Sequence, residues 1–147
     1  MTADGGVMRG GYRGGMSTVQ PAGPEPRARK KGLESLDVWW KARELAVLVY
    51  QQLEKLPPDE RYGLASQLRR VSVSVVANIA EGHGRLGRAE YRHHVSIALG
   101  SVIELKTLLL LCTDLEFRTP NDIAPSLAAA ERVASMLWKL GEALKHG

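Results

Sequence analysis

Residues 67–85 read QLRRVSVSVVANIAEGHGR, and the spacing of their apolar side chains decides the fold class. Leu64, Leu68, Val71 and Val75 recur at intervals of three and four, the period of one helical face. The next position on that stripe is Asn78. Val76 and Ile79 add a second apolar face, so the helix is expected to be surrounded by neighbours. Asn78 and Glu81 then fall inside the apolar part, where an unpartnered polar group costs a few kcal/mol. They are expected to form a buried polar pair that fixes helix register or subunit pairing. A catalytic pair is not expected, because Asn78 and Glu81 lack a nearby nucleophile and only His83 is close in sequence.

Working outward, three more segments carry the same period. The first spans about residues 36–54, with Trp39, Ala42, Leu45 or Ala46, Val49 and Leu53 on one face. It stops at Leu56-Pro57-Pro58, because a residue before proline is pushed out of helical geometry. Asp59 and Glu60 favour the start of the second helix through its dipole. That helix ends near Gly82, in a hinge with Gly84 and Gly87, and Gly87 with Glu90 forms a weak capping box for the third. The third has the cleanest seam: Tyr91, Val95, Ala98, Val102, Leu105, Leu109 and Cys112, widened by Leu99, Ile103, Leu108 and Leu110. The fourth ends near Leu144 and uses Ile123, Leu127, Ala130, Ala134, Leu137 and Leu140 or Gly141. Its start is open between Pro120, where Thr119 to Asp122 makes a cap, and Pro125, which would interrupt the first turns. Short connections between long helices predict an all-α, antiparallel up-and-down four-helix bundle over residues 33–147. Gly100-Ser101 is expected to let a neighbouring backbone approach closely. The apolar surface of the second and third helices exceeds what one core needs, which marks an interface.

Residues 1–32 have another character. Glycine and proline dominate and no period recurs, the signature of a disordered tail. Arg9-Gly10-Gly11, Tyr12 and Arg13-Gly14-Gly15 are similar to an RNA-binding RGG segment. Two other readings stand beside that one: translation from Met8 or Met16, or a plain linker. Residues 26–31, PRARKK, form a solvated basic arm in any of them.

Charge follows the same division. The chain has 147 residues and a net charge of +4. Residues 1–32 hold six basic against two acidic groups, so the tail accounts for the whole excess. Within the neutral remainder, residues 61–94 hold six arginines against Glu81 and Glu90. Arginine without lysine favours forked contacts to phosphate or carboxylate. Arg69, Arg70, Arg85, Arg88 and Arg92 are therefore the candidate nucleic-acid-binding residues. For Arg69 and Arg70 the competing reading is internal pairing with Glu81 or an acid on the first helix; for the other three it is simple solvation. Arg70 and Arg85 are about 22 Å apart along the helix, which makes two patches rather than one.

Several classes are set aside. The lone Cys112 cannot form an internal disulfide and reads as a buried, reduced thiol, as in a cytoplasmic protein. Glu104 and Lys106 interrupt the most apolar segment, so no membrane span is expected, and the N-terminus lacks a secretory h-region. No cofactor motif is present. His83, His93 and His94 make a poor zinc site, since adjacent histidines diverge by about 100° on a helix. Arg88 and His93 have the R-x4-H spacing of HEPN ribonucleases, but Ala89 replaces the polar residue that follows the arginine there.

The QLRR, NIAEG and IALGSVIEL segments together carry a resemblance. With Val38-Trp39, Lys41-Ala42, Glu44-Leu45, Val49-Tyr50, Leu56-Pro57 and Tyr62-Gly63-Leu64, they resemble the four-helix-bundle proteins encoded in 23S rRNA intervening sequences. That family is similar in turn to the accessory proteins of diversity-generating retroelements. The match is good over residues 36–115 and rests on pattern alone in the last helix. His94 departs from it, because an aromatic residue usually stands there. The resemblance implies a ring-shaped homopentamer, a structural role for NIAEG, and no reaction. Together these observations predict a cytoplasmic, non-enzymatic, oligomeric protein that binds RNA or DNA. It would assist a reverse transcriptase or associate with ribosomal RNA. The alternative is a protein-interaction scaffold without nucleic-acid affinity.

Overall fold

Four helices take up nearly all of residues 32–145, the part of the chain that the structure, a computed structural model, describes. They are α1 (Asp37–Leu53), α2 (Leu64–His83), α3 (Arg88–Asp114) and α4 (Pro120–Lys145). Short 3-10 turns at Leu33–Ser35 and Pro58–Glu60 precede α1 and α2. The expectations for the tail fall on residues 1–31, which lie outside the described residues.

Each helix packs against the next, and α4 closes back on α1, the arrangement of an up-and-down bundle. The antiparallel register shows in side-chain contacts between α2 and α3. Arg70 meets Glu104, Ser74 meets Ser101, and Asn78 meets His94, so α3 descends as α2 ascends. The core is the set of helical stripes: Val38, Ala42, Leu45 and Val49 from α1, and Leu64, Leu68, Val71, Val75 and Ile79 from α2. From α3 come Val95, Ala98, Val102, Leu105, Leu109 and Cys112, and from α4 Ile123, Ala130, Val133 and Leu137. The seam expected for α3 is buried from Val95 to Cys112, with Tyr91 half-buried at its end. On α2 the stripe continues to Ile79 rather than to Asn78, which stands at its edge, half-buried. Burial pushes the Cys112 thiol and the Tyr91 hydroxyl above their ordinary pKa ranges.

The helix ends correct two expectations and decide one that the sequence left open. Asp59 and Glu60 do not open α2; they belong to the separate 3-10 turn. Glu60 still supports that terminus, because its Oε1 accepts the amide of Leu64 at 3.0 Å. Gly87 and Glu90 form no side-chain cap on α3, since glycine has no side chain to offer. The ambiguity over α4 resolves at Pro120, with Pro125 inside the helix. Proline suits that first position because its missing N–H would be unpaired there in any case. The hydroxyl of Thr119 accepts the amide of Asp122 at 3.1 Å, and the Asp122 carboxylate accepts the amide of Thr119 at 2.9 Å. This reciprocal box fixes the start of α4. At the other junction α3 ends with Glu116 at φ 62, while the amide of Phe117 reaches back to the carbonyl of Cys112. That left-handed residue and back-bond turn the chain into the five-residue link to α4.

At Gly82 the backbone of α2 comes close to α3. A Cβ placed there would lie 2.7 Å from the Cβ of His94 and 3.2 Å from the carbonyl of Tyr91. The glycine serves this contact and lies inside the last turn of α2, not in a hinge. Gly100 does the opposite of what its neighbourhood predicted: a Cβ there meets nothing within 4 Å. It lies on the outer face of α3.

Candidate nucleic-acid interface

The predicted arginines divide by what each guanidinium touches. Arg69 and Arg70 are adjacent in sequence but diverge by about 100° around α2. Arg70 donates to Gln67 one turn back on α2 and turns toward α3, where it sits 3.4 Å from Glu104. Its partner is thus an acid on α3, not Glu81 or an acid on α1. Arg69 turns the other way and lines a groove at the α1–α2 connection. Among the described residues no carboxylate lies within 4.0 Å of it. The doublet therefore does not act as one unit.

At the far end of α2, Glu81 is exposed and pairs with Arg85 at 2.9 Å. This corrects the expected buried Asn78–Glu81 pair: the four-residue spacing places Glu81 within reach of Arg85 on the solvent side of the helix. Asn78 has other partners. Its Nδ2 donates to the carbonyl of Ser74 at 2.9 Å and to the Ser74 hydroxyl at 3.1 Å. Its Oδ1 lies 3.0 Å from His94 Nδ1. The Ser74 hydroxyl also meets that of Ser101 at 2.9 Å, which extends the network along the α2–α3 seam. His94 is the member that sequence reading missed as a partner, and its departure from the family's aromatic residue was the available signal.

Arg88 and Arg92 reach across to α4. Arg88 Nη2 donates to the carbonyl of Ala143 at 2.9 Å, and Arg92 Nε donates to that of Gly141 at 3.0 Å. The carbonyl of Ala143 is among the last four of α4, which lack helical partners, and a cation near that terminus complements the dipole. These bonds tie the start of α3 to the end of α4. A carbonyl carries no net charge, so both guanidiniums remain uncompensated, with further N–H donors to offer. Arg88 and His93 lie about 140° apart around α3, so the two residues of the R-x4-H spacing face different ways. His93 is exposed and packs edge-on against His94, with ring centroids 5.8 Å apart. Among the described residues no group of three or more His, Cys, Asp or Glu side chains is placed to hold a metal ion.

At the opposite end, Arg118 is an internal residue that sequence reading passed over. It is 17% exposed, donates from Nε to Gln52 Oε1 at 2.8 Å, and lies 3.5 Å from Asp122. Gln52 in turn donates to the carbonyl of Asp122 at 3.0 Å, which locks the end of α1 to the start of α4. Hydrogen bonds from the backbone and hydroxyl of Thr119, helped by the charge of Arg118, hold the Asp122 carboxyl below the usual carboxylate range.

The outer face of α3 is apolar well beyond the core stripe. Ile97, Ile103, Leu110 and Leu111 are exposed around Gly100. By length and composition α3 could cross a membrane, yet within the bundle only 33% of its most apolar 18-residue window is buried. The remaining surface is a patch of the kind that marks contact with another molecule.

Comparison with known proteins places this geometry. No curated protein matches the sequence. Among solved structures, the fold is similar to the crystal structure of a protein of unknown function from the S23 ribosomal protein family of Bacteroides thetaiotaomicron. The TM-score is 0.67 at 23% identity, covering 71% of this chain and 95% of that one, a likeness of fold alone. The family model for 23S rRNA-intervening sequence protein matches residues 34–139, from the turn before α1 almost to the end of α4. The chain belongs to the 23S rRNA-intervening sequence protein family.

Proposed function

We propose that the chain is a non-enzymatic, self-associating accessory protein that binds RNA or DNA through arginines at the two ends of its bundle. The observation that carries this reading is that, among the described residues, guanidiniums without a carboxylate partner stand at both ends of the bundle. Arg61 and Arg69 stand at one end, Arg88 and Arg92 at the other. Unpaired guanidiniums give favourable, salt-dependent contacts to phosphate. Arg70 and Arg85 begin from exposed ion pairs, which are weak enough to exchange for phosphate. The divergence of Arg88 and His93 and the use of Arg88 on α4 favour a non-enzymatic role. Likeness to diversity-generating retroelement proteins makes a reverse transcriptase one partner in this reading and ribosomal RNA the other, in the cytoplasm.

Self-association rests on the outer face of α3, which a second copy would cover; five copies in a ring is the number carried by the resemblance. Replacing Ile103, which is 50% exposed, by Lys is expected to shift the protein to monomer in sedimentation without unfolding it.

The test is RNA and DNA binding across a salt titration. It compares the full-length chain, a full-length variant with the tail's basic residues changed to Ser, and an Arg69→Ala/Arg85→Ala variant. Those two arginines make no structural bond to a backbone carbonyl, so their loss leaves the fold intact. Affinity that falls steeply with salt and drops in the bundle variant supports the reading. Affinity lost only in the tail variant assigns it to the arm. A stable oligomer with no affinity at low salt establishes the scaffold instead.

A further inference from the structure

The groove between the end of α1 and the start of α2 joins Arg61 and Arg69 to an aromatic ring and an apolar lining that no role assigned so far uses. Its volume is about 620 Å³, within the range of small-ligand sites. Leu56, Pro57 and Ala65 form an apolar floor, and Arg61, Tyr62 and Arg69 rise around it. Neither arginine has an ion-pair partner among the described residues. Glu60, beside Arg61 in sequence, is held on the amide of Leu64. Asp59 is the one acid in the lining, so the groove keeps a positive balance. Tyr62 is 87% exposed, the most open aromatic ring among the described residues. An open aromatic ring, two guanidiniums without ion-pair partners and a leucine- and proline-lined groove, all in one lining, match a ligand with a flat apolar face and an anionic group.

We propose that this groove is a subsite for one unstacked nucleotide of a single-stranded nucleic acid, with Tyr62 stacking on the base and Arg61 and Arg69 binding the adjoining phosphates. The subsite rests on the nucleic-acid reading above and makes it specific. Stacking on tyrosine needs a base whose face is free, and in a duplex both faces are covered by neighbours. The groove therefore prefers single strands. It is tolerant of sequence, because every base has a π-face. An acidic peptide would use the two arginines but would leave the ring and the floor unfilled.

The experiment measures fluorescence anisotropy of the full-length protein with labelled oligouridylate, oligothymidylate and a duplex of equal length. Tyr62→Ala is expected to weaken single-strand binding about 5- to 100-fold, while duplex binding changes by less than about twofold and Tyr62→Phe binds as wild type. Arg61→Gln with Arg69→Gln is expected to lower the single-strand salt slope by about 1.4. All three side chains are exposed, so these variants keep the fold. In a 4-thiouridine oligomer, photo-crosslinks should map to the peptide that holds Tyr62. If wild type binds and Tyr62→Ala binds single strands equally well, the subsite is wrong and the broader reading survives. If an acidic peptide binds wild type more tightly than oligouridylate does, and Arg61→Gln with Arg69→Gln removes that binding, the arginines serve a protein ligand and the subsite is again overturned. If wild type binds no nucleic acid at low salt, both readings fall together.

Discussion

Asn78 Oδ1 and His94 Nδ1, 3.0 Å apart, join α2 to α3 through a hydrogen bond whose direction is fixed by a third group. The carbonyl of Ser74 can only accept, so it must face the Asn78 amide nitrogen. The Asn78 oxygen therefore faces His94, and Nδ1 must donate to it. Neutral His94 then carries its proton on Nδ1 and leaves Nε2 unprotonated. Nitrogen-15 NMR of the imidazole at neutral pH is expected to show that tautomer. Asn78→Ala should destabilise the protein by about 1–3 kcal/mol in urea unfolding, because it leaves a half-buried imidazole N–H without its acceptor.

The two glycines of the α2–α3 region should respond oppositely to a methyl group. Gly82→Ala drives a Cβ to 2.7 Å from that of His94 and against the carbonyl of Tyr91, so the helices must separate. A loss of about 1–3 kcal/mol is expected from such overpacking. Gly100→Ala meets open space and should gain about 0.5–1 kcal/mol from helix propensity. A loss at Gly100 would instead identify a second copy packed on that face.

Arg92→Ala removes the donor that holds the carbonyl of Gly141, and Arg88→Ala the one on Ala143. Each is expected to cost about 0.5–1.5 kcal/mol, the net worth of an ordinary hydrogen bond, because both side chains are exposed. Hydrogen exchange at the end of α4 should accelerate while the centre of the bundle is unchanged. Nucleic-acid binding by these variants is interpretable only beside that stability measurement.

Asp122 makes part of the stability depend on pH. Its carboxyl is held below the ordinary range by the backbone and hydroxyl of Thr119 and by Arg118. Between the folded and unfolded values the unfolded chain binds more protons, so stability rises with pH there. The contribution is present in full above about pH 4 and is lost as pH falls through the depressed folded value. Asp122→Ala should lower Tm at neutral pH and flatten the fall of Tm below about pH 4, as followed by circular dichroism.

The helices, their order and most of the core are legible in local spacing alone. Period is a local property, and a side chain's angle around its own axis settles whether it can face the centre. Hence the α3 stripe from Val95 to Cys112 was readable, as was the Thr119–Asp122 cap, whose partners are three residues apart. The tertiary structure alone decided what lies opposite each side chain. Position in α2 could not tell that Ile79 would take the core while Asn78 stood at the seam facing His94. The Glu81–Arg85 pair was within local reach at four residues, but only the packing of α2 decided that Glu81 would stand on the solvent side. The pairing of Arg88 and Arg92 with α4 joins residues 49 and 55 positions apart. Such long-range contacts depend on the distance and register between helices, which no local spacing encodes. The groove beside Tyr62 is the same case, since α1, its turn and α2 build it only once they are packed together.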